Sequence, residues 1–273
     1  MTTLSRVGEL GLLAELELRG LIRGVEHDAA QVAGVVVTQD TLVEGVHFRL
    51  DWLTPRELGF RAAAVNISDL AASGARPEAL LVCLAAPAAT ALADVIELYE
   101  GLAEAGVPVV GGDTTAAGEL VVSVTALGRA TRVPGRAGAQ PGDLLVVTGP
   151  LGGAGAAFRE RSYIRPPLRI EEGLRLARTA HALMDVSDGL AADAGHIARR
   201  SGVRCVLELE RVPLAAGATI ADLGFGEDFE LLAAVPEADG FPVVGRVEEG
   251  EGVELLLRGE PYDLSGWEHF SAG

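Results

Sequence analysis

Six aspartates stand where an apolar stretch ends or is interrupted. They are Asp28 in Glu-His-Asp-Ala-Ala, Asp40 in Val-Val-Thr-Gln-Asp-Thr, Asp69 in Asn-Ile-Ser-Asp-Leu-Ala-Ala, Asp113 in Gly-Gly-Asp-Thr-Thr, and Asp185 and Asp188 in Met-Asp-Val-Ser-Asp-Gly-Leu. Alone, an aspartate beside Ser or Gly is usually a helix cap or a turn residue. Six at the ends of buried elements point instead to an oxygen-only site for hard cations such as Mg2+.

Such a site suits phosphoryl transfer. Transfer between two anions is limited by their repulsion and by charge developing on the leaving oxygen. Bridging metals neutralise both, and the protein mainly positions the partners. A phosphate-monoester acceptor is already largely a dianion at neutral pH and needs no strong base. The absence of a Ser-His-Asp or Cys-His constellation is consistent with that chemistry.

Composition narrows the field. The formal net charge of −17 argues against nucleic acid and anionic membranes, both of which require basic patches. A polyphosphate ligand is still compatible with it if cations stand between carboxylates and phosphates. Every basic side chain other than histidine is Arg, and the absence of Lys excludes a Walker P-loop, a Schiff-base lysine and the protein-kinase strand lysine. Cys83 and Cys205, far apart and flanked by apolar residues, read as small buried hydrophobes. No apolar run is long enough to span a bilayer. The N-terminal stretch mixes Glu and Arg with Leu and does not read as a signal peptide, so the expected location is the cytoplasm.

The elements that must position these residues follow from periodicity. Helices are predicted over 5–22, from Thr54 to Ala64 or beyond, and over 90–105, 169–180 and 189–201. Thr54-Pro55-Arg56-Glu57 is a strong helix start, with Thr as cap, Pro in the first turn and Glu closing a capping box. Strands are predicted over 33–38, 42–48, 78–86, 107–110, 120–127, 144–148, 183–186, 203–209, 230–235, 242–247 and 253–257. The Gly- and Pro-rich stretch 132–142 marks a boundary, giving units 1–137 and 138–273. Strands alternate with helices in both, so the class is α/β (α+β). Gly149 to Ala157 follows a strand and opens a helix, but fits a dinucleotide-binding turn poorly and reads as close backbone packing.

The ordered motifs resemble those of the thiamine-monophosphate kinase family. They are Asp28-Ala29-Ala30, the run Thr38 to Phe48 with its Glu44-Gly45-Val46-His47-Phe48, Asn66 to Ala72, Gly111 to Thr115, Met184 to Leu190, Gly226 to Leu231 and the closing Trp267-Glu268-His269-Phe270. Together they span nearly the whole chain. The resemblance implies the two-domain aminoimidazole-ribonucleotide-synthetase-like fold, with N-terminal sheets pairing into a barrel across a homodimer. It implies ATP and thiamine monophosphate as substrates and several Mg2+ ions. By motif, Asp28, Asp40, Asp69, Asp113, Asp185 and Asp188 would hold metal, with Thr38 and Gln39 at metal-contacting positions. Tyr99, Gly112, Asp113, Arg136 and Ser187 would contact ATP, and His47, Glu227 and Trp267 the thiamine phosphate.

Three departures stand out. His27 replaces the first Asp of the family's Gly-Asp-Asp-Ala-Ala, Gln39 stands where Thr is usual, and Phe225 replaces the first Gly of Gly-Gly-Glu-Asp. The chain is also short for the family, trimmed after Tyr99 and before Glu227. They leave two alternatives open: a nucleotide- or thiamine-phosphate-binding homologue with weakened catalysis, and another ATP-dependent synthetase of the superfamily. A selenophosphate synthetase would want a reactive N-terminal Cys and a Lys, and the chain has neither.

Overall fold

The computed structural model describes residues 3–22, 27–264 and 266. The expected contact Trp267 lies outside the described residues. Helix α1 (Leu4–Leu18) leads into β1 (Ala30–Val32), β2 (Val35–Val43), α2 (Pro55–Ala72), β3 (Arg76–Ala86), α3 (Leu92–Ala103), β4 (Val109–Ala116) and β5 (Val121–Arg129). The second half runs β6 (Leu144–Val147), α4 (Gly153–Arg159), α5 (Ile170–Leu176), β7 (Ala182–Asp185), α6 (Leu190–Ser201), β8 (Arg204–Glu208), β9 (Leu231–Val235), β10 (Val243–Glu248), β11 (Gly252–Leu257) and β12 (Glu260–Pro261). Among the described residues no helix is long and apolar enough to cross a membrane.

Each half is built on one sheet. The first has order β1-β2-β5-β3-β4 and the second β12-β11-β8-β10-β6-β9-β7. In the first, only β3 and β4 pair in parallel; in the second, only β8 and β11 do. The first sheet is open, with β1 and β4 as its edges, and among the described residues the strands form no closed barrel.

Helix α2 joins the halves. Its start is as predicted: the Thr54 side chain accepts from the Glu57 backbone N–H, and Glu57 accepts from that of Thr54. It then runs on to Ala72, with residues such as Leu58, Ala62, Ile67 and Leu70 fully buried. A helix buried on nearly all sides needs walls on all sides. One wall is α3, crossed at a pair of glycines: a Cβ on Gly59 would lie 1.8 Å from the Leu98 carbonyl oxygen, and one on Gly101 1.9 Å from that of Arg56. Another is the first sheet. At its C-terminal end Ala71 and Ala72 enter a core with Val146, Leu183 and Leu231 of the second half.

Three local readings change. The two strands predicted over 33–38 and 42–48 are largely one strand, β2, followed by a turn. In that turn His47 Nδ1 accepts the Val43 N–H at 3.0 Å, and Gly45 N–H donates to the Phe48 carbonyl at 2.8 Å. The helix predicted over 169–180 is only Ile170–Leu176. Gly111 to Thr115, beyond the predicted strand 107–110, belongs to β4, because Gly112 (φ 147°) lets the chain pass against β3. A Cβ there would sit 1.8 Å from the Val82 carbonyl oxygen.

Candidate active site

Strand β2 and helix α2 supply most of the site. Thr38 and Asp40 lie on the face of β2 turned toward α2. Thr38 Oγ1 donates to Asp69 Oδ2 at 2.5 Å, and the Asp40 N–H donates to Asn66 Oδ1 at 3.0 Å. One residue before Asp69, Ser68 Oγ donates to Asp185 Oδ2 at 2.6 Å, reaching the end of β7 in the other half. Arg136, on the connection between the sheets, donates from Nε and Nη2 to Asp28 Oδ1 at 2.8 and 2.7 Å.

These side chains form one electrostatic group. Burial is the largest influence on each carboxylate and pushes Asp28, Asp40, Asp69 and Asp185 upward. Their mutual repulsion adds to this: Asp69 feels Asp40, Asp185 and Asp28 and stands well above the usual range. Asp185 is pushed up to about 8. Arg136 counters the rise at Asp28, as does the Ser68 hydroxyl at Asp185. Burial and mutual repulsion thus disfavour the charged form of all four carboxyls, and a cation placed among them would oppose both effects.

The donor set is chemically that of a hard divalent cation: carboxylate oxygens with no sulfur or imidazole among them. As placed, the carboxylates are held by Arg136, Thr38 and Ser68, and among the described residues no three His, Cys, Asp or Glu side chains converge as a ready metal site. The residues fit a cation in kind. Holding one requires the carboxylates to exchange these internal donors for it.

Beside this group lies the loop 186–189. The Val186 N–H donates to the Glu230 carbonyl at 2.8 Å, and the Ser187 carbonyl accepts the Glu227 N–H at 2.8 Å. The Asp188 N–H donates to Asp193 Oδ2 at 3.2 Å. Asp193, fully buried in the first turn of α6, leaves Oδ1 without a partner. The facing turn is strained: Glu227 and Phe229 adopt φ of 57° and 51°. Such backbone persists only where surroundings over-determine it, and it concentrates at functional sites. Here the fixing groups are the 186–187 backbone and Asp228, which accepts from the Gly152 and Ala154 N–H groups at 2.6 and 3.1 Å. The Glu227 carboxylate pairs with Arg61 of α2.

The remaining expected residues lie apart. Gln39 faces the other side of the sheet, bonded to Ser123 and Thr125 at 3.3 and 3.1 Å. Gly112 and Asp113 sit on the exposed edge strand β4. Asp40, Val124, Val82 and Gly112 are successive Cα partners across the sheet. Gly112 is therefore three strands, roughly 14 Å, from Asp40. Tyr99, half-buried on α3, lies within electrostatic reach of Cys83, whose Cα partner is Asp113. His47 is held in its turn beyond β2.

Sequence comparison decides the family. The profile described as "AIR synthase related protein, N-terminal domain" matches residues 26–130, and its C-terminal counterpart matches 140–258. The thiamine-monophosphate kinase of Mycobacterium tuberculosis is 36% identical over 312 aligned positions, covering 98% of this chain and 93% of that protein. The thiamine-monophosphate kinase of Aquifex aeolicus is 32% identical, covering 98% and 99%. The chain belongs to the thiamine-monophosphate kinase family. Like its relatives it is a kinase. A solved structure described as AaThiL complexed with AMPPCP and TMP superposes with a TM-score of 0.89 at 31% identity, covering 98% of this chain and 99% of that one.

Within this thiamine-monophosphate kinase family member, the sequence-predicted residues Asp28, Thr38, Asp40, Asp69, Asp185 and Arg136 come together, with Ser187, Asp188 and Glu227 on the adjoining loops. Gln39, Tyr99, Gly112, Asp113 and His47 are not joined to that group by any contact described above. Sequence reasoning missed Arg61, Asn66, Ser68 and Asp193. The signal was there for Asn66 and Ser68: polar side chains inside an otherwise apolar helix need buried partners.

Proposed function

We propose that this chain transfers the γ-phosphoryl group of ATP directly to thiamine monophosphate, giving ADP and thiamine diphosphate. The observation that carries the reading is similarity along nearly the full length to curated thiamine-monophosphate kinases, one of them 36% identical over 98% of the chain. The match to a neighbour described with AMPPCP and TMP supports both substrates. In the reaction, an oxygen of the acceptor phosphate attacks the γ-phosphorus in line, and the bond to the β–γ bridging oxygen breaks. The electron pair leaves with ADP, and the dianionic acceptor needs no base.

Asp28, Asp40, Asp69 and Asp185 would hold Mg2+, with Asp188 and Asp113 serving further ions and Thr38 and Gln39 adding oxygen donors. When bound, Mg2+ supplies neutralisation of the phosphate charge. Arg136 suits ATP as a fork donor once released from Asp28. Tyr99, Gly112, Asp113 and Ser187 complete the proposed ATP contacts, and His47, Glu227 and Trp267 those to thiamine phosphate. The separation of Gly112 and Asp113 from the Asp40 group supports a ligand as extended as ATP.

The open five-stranded sheet, with its unpaired edges, supports a homodimer whose sheets complete a barrel. Division into units 1–137 and 138–273 and a cytoplasmic setting belong to the same reading, the latter in keeping with free Cys83 and Cys205. The test is ADP release coupled to thiamine monophosphate at millimolar Mg2+. Stoichiometric ADP and thiamine diphosphate are expected. ATP binding without turnover would establish the binding homologue instead.

A further inference from the structure

Asp193 is a fully buried carboxyl beside the site, and one of its oxygens is idle. Its backbone N–H continues α6 by donating to the Gly189 carbonyl at 3.0 Å. Its side chain turns back on the loop before the helix. Oδ2 accepts the Asp188 N–H at 3.2 Å, and Oδ1 has no hydrogen-bond partner. Burial, then repulsion from Asp188 and Asp185, weighs against the Asp193 charge. A neutral residue of the same shape would pack here at less cost, so packing alone does not account for a carboxyl.

The cation that faces Asp193 is Arg136. Its backbone is moored to the far end of the same helix: Ser201 Oγ donates to the Arg136 carbonyl at 3.4 Å and accepts the Gly138 and Ala139 N–H groups, each at 3.1 Å. His196 and Asp193, one turn apart on α6, both lie within electrostatic reach of the Arg136 guanidinium. Burial works against the Arg136 charge, and the carboxyls of Asp28, Asp185 and Asp193 sustain it. Of these three, Asp28 holds the hydrogen bonds from Nε and Nη2, both on Oδ1. When Asp28 turns to a cation, Arg136 gives up that partner and needs another in the same buried space.

We propose that Asp193 is a positioning residue whose Oδ2 fixes the Asp188 loop and whose Oδ1 takes the guanidinium that Asp28 releases. One side chain then sets the loop bearing Ser187 and Asp188 and aims Arg136 at the triphosphate. A guanidinium carries several N–H donors, so those spent on Asp193 leave others for phosphate oxygens. The inference rests on the Mg2+ and ATP reading above and adds a residue to it.

The test is D193N in the full-length protein. Its amide oxygen still accepts the Asp188 N–H, while its NH2 group meets Arg136 as donor against donor. In metal-free buffer its melting temperature should equal or exceed that of wild type. Calorimetry with AMPPCP at millimolar Mg2+ should nevertheless show Kd raised roughly tenfold. A residue that only packs would move the first quantity and leave the second. In an R136Q background, D193N should change Kd by less than about twofold, because the group it positions is gone. D193A, which loses both arms, should bind more weakly than D193N. A Kd for folded D193N within about twofold of wild type overturns the assignment, as does an equal loss with and without Arg136. Loss of the folded state in D193N makes the carboxyl a requirement of the fold and overturns it too. Wild-type protein that binds no AMPPCP overturns the nucleotide reading as well.

Discussion

Ser68 Oγ donates a 2.6 Å hydrogen bond to Asp185 Oδ2, joining a helix of the first half to a strand end of the second. It is the contact that most restrains the charge behaviour of Asp185. Burial, then repulsion from Asp28, lifts this carboxyl to about 8, and the Ser68 hydroxyl opposes the lift. A carboxyl raised in the folded state holds a proton that the unfolded chain releases. It therefore favours folding at low pH, and this contribution is lost as pH climbs from the ordinary carboxylate range through about 8. S68A removes a hydrogen bond that is stronger to the ionised acid. Its cost should be about 1 kcal/mol at pH 6 and about 2–3 kcal/mol at pH 9. Urea unfolding of both proteins at the two pH values measures this. A cost independent of pH would show that Ser68 does not act on the Asp185 charge.

Arg136 faces Asp28, whose side chain is only 2% exposed. Truncating one partner of such a pair leaves a buried carboxylate uncompensated, at about 3–5 kcal/mol. R136A should lose about that much in metal-free buffer at pH 8. Millimolar Mg2+ should return part of it, because a cation compensates the same carboxylate. R136K should recover little, since an ammonium cannot donate the fork that Nε and Nη2 make. Chemical denaturation with and without Mg2+ reads all three outcomes.

Asp228 ties the strained turn to the start of α4 through two backbone N–H groups. Burial, the largest influence, lifts its carboxyl to about 6 despite those donors. Stability from this group is therefore full below the usual carboxylate range and declines as pH rises to about 6, after which it is flat. D228N should abolish that segment of the profile. It should also cost about 1–3 kcal/mol at pH 5, because the amide can satisfy only one of the two N–H groups. A melting-temperature series from pH 4 to pH 7 tests both parts. An unchanged slope in D228N would assign the titration elsewhere.

Gly59 and Gly101 form a reciprocal contact between α2 and α3. Alanine is the better helix former by about 1 kcal/mol, so propensity alone favours G101A. Packing opposes it, since the new methyl would stand 1.9 Å from the Arg56 carbonyl oxygen, which cannot rotate away. Overpacking against backbone should win, with a net loss of about 3 kcal/mol or failure to accumulate folded protein. A melting temperature at or above wild type would mean that the helices separate more easily than their packing shows.

Part of the site was legible because Asp185 closes the apolar run of β7, whereas Asp40, Asp69 and Asp113, expected at element ends, lie inside β2, α2 and β4. The start of α2 was legible for the same local reason, the Thr54–Glu57 box. Its length was not, because Asn66, Ser68 and Asp69 look like a helix end until their partners on β2 and β7 are seen. The strand passing through Gly112 and Asp113 was hidden by glycines that usually signal a loop, and here allow close approach to β3. The pairing of Arg136 with Asp28 spans most of the first half and leaves no local trace.

Ala71 and Ala72 of α2 are as deeply embedded among Val146, Leu183 and Leu231 as any residue of the second half. A truncated polypeptide ending between the two sheets would expose this apolar tip to water, and the complementary piece would lack its lid. Separately expressed halves should therefore be insoluble or partly unfolded on their own and recover order only when mixed. A circular permutant opened in an exposed surface turn, such as that at Gly240, keeps helix and lid together and should fold.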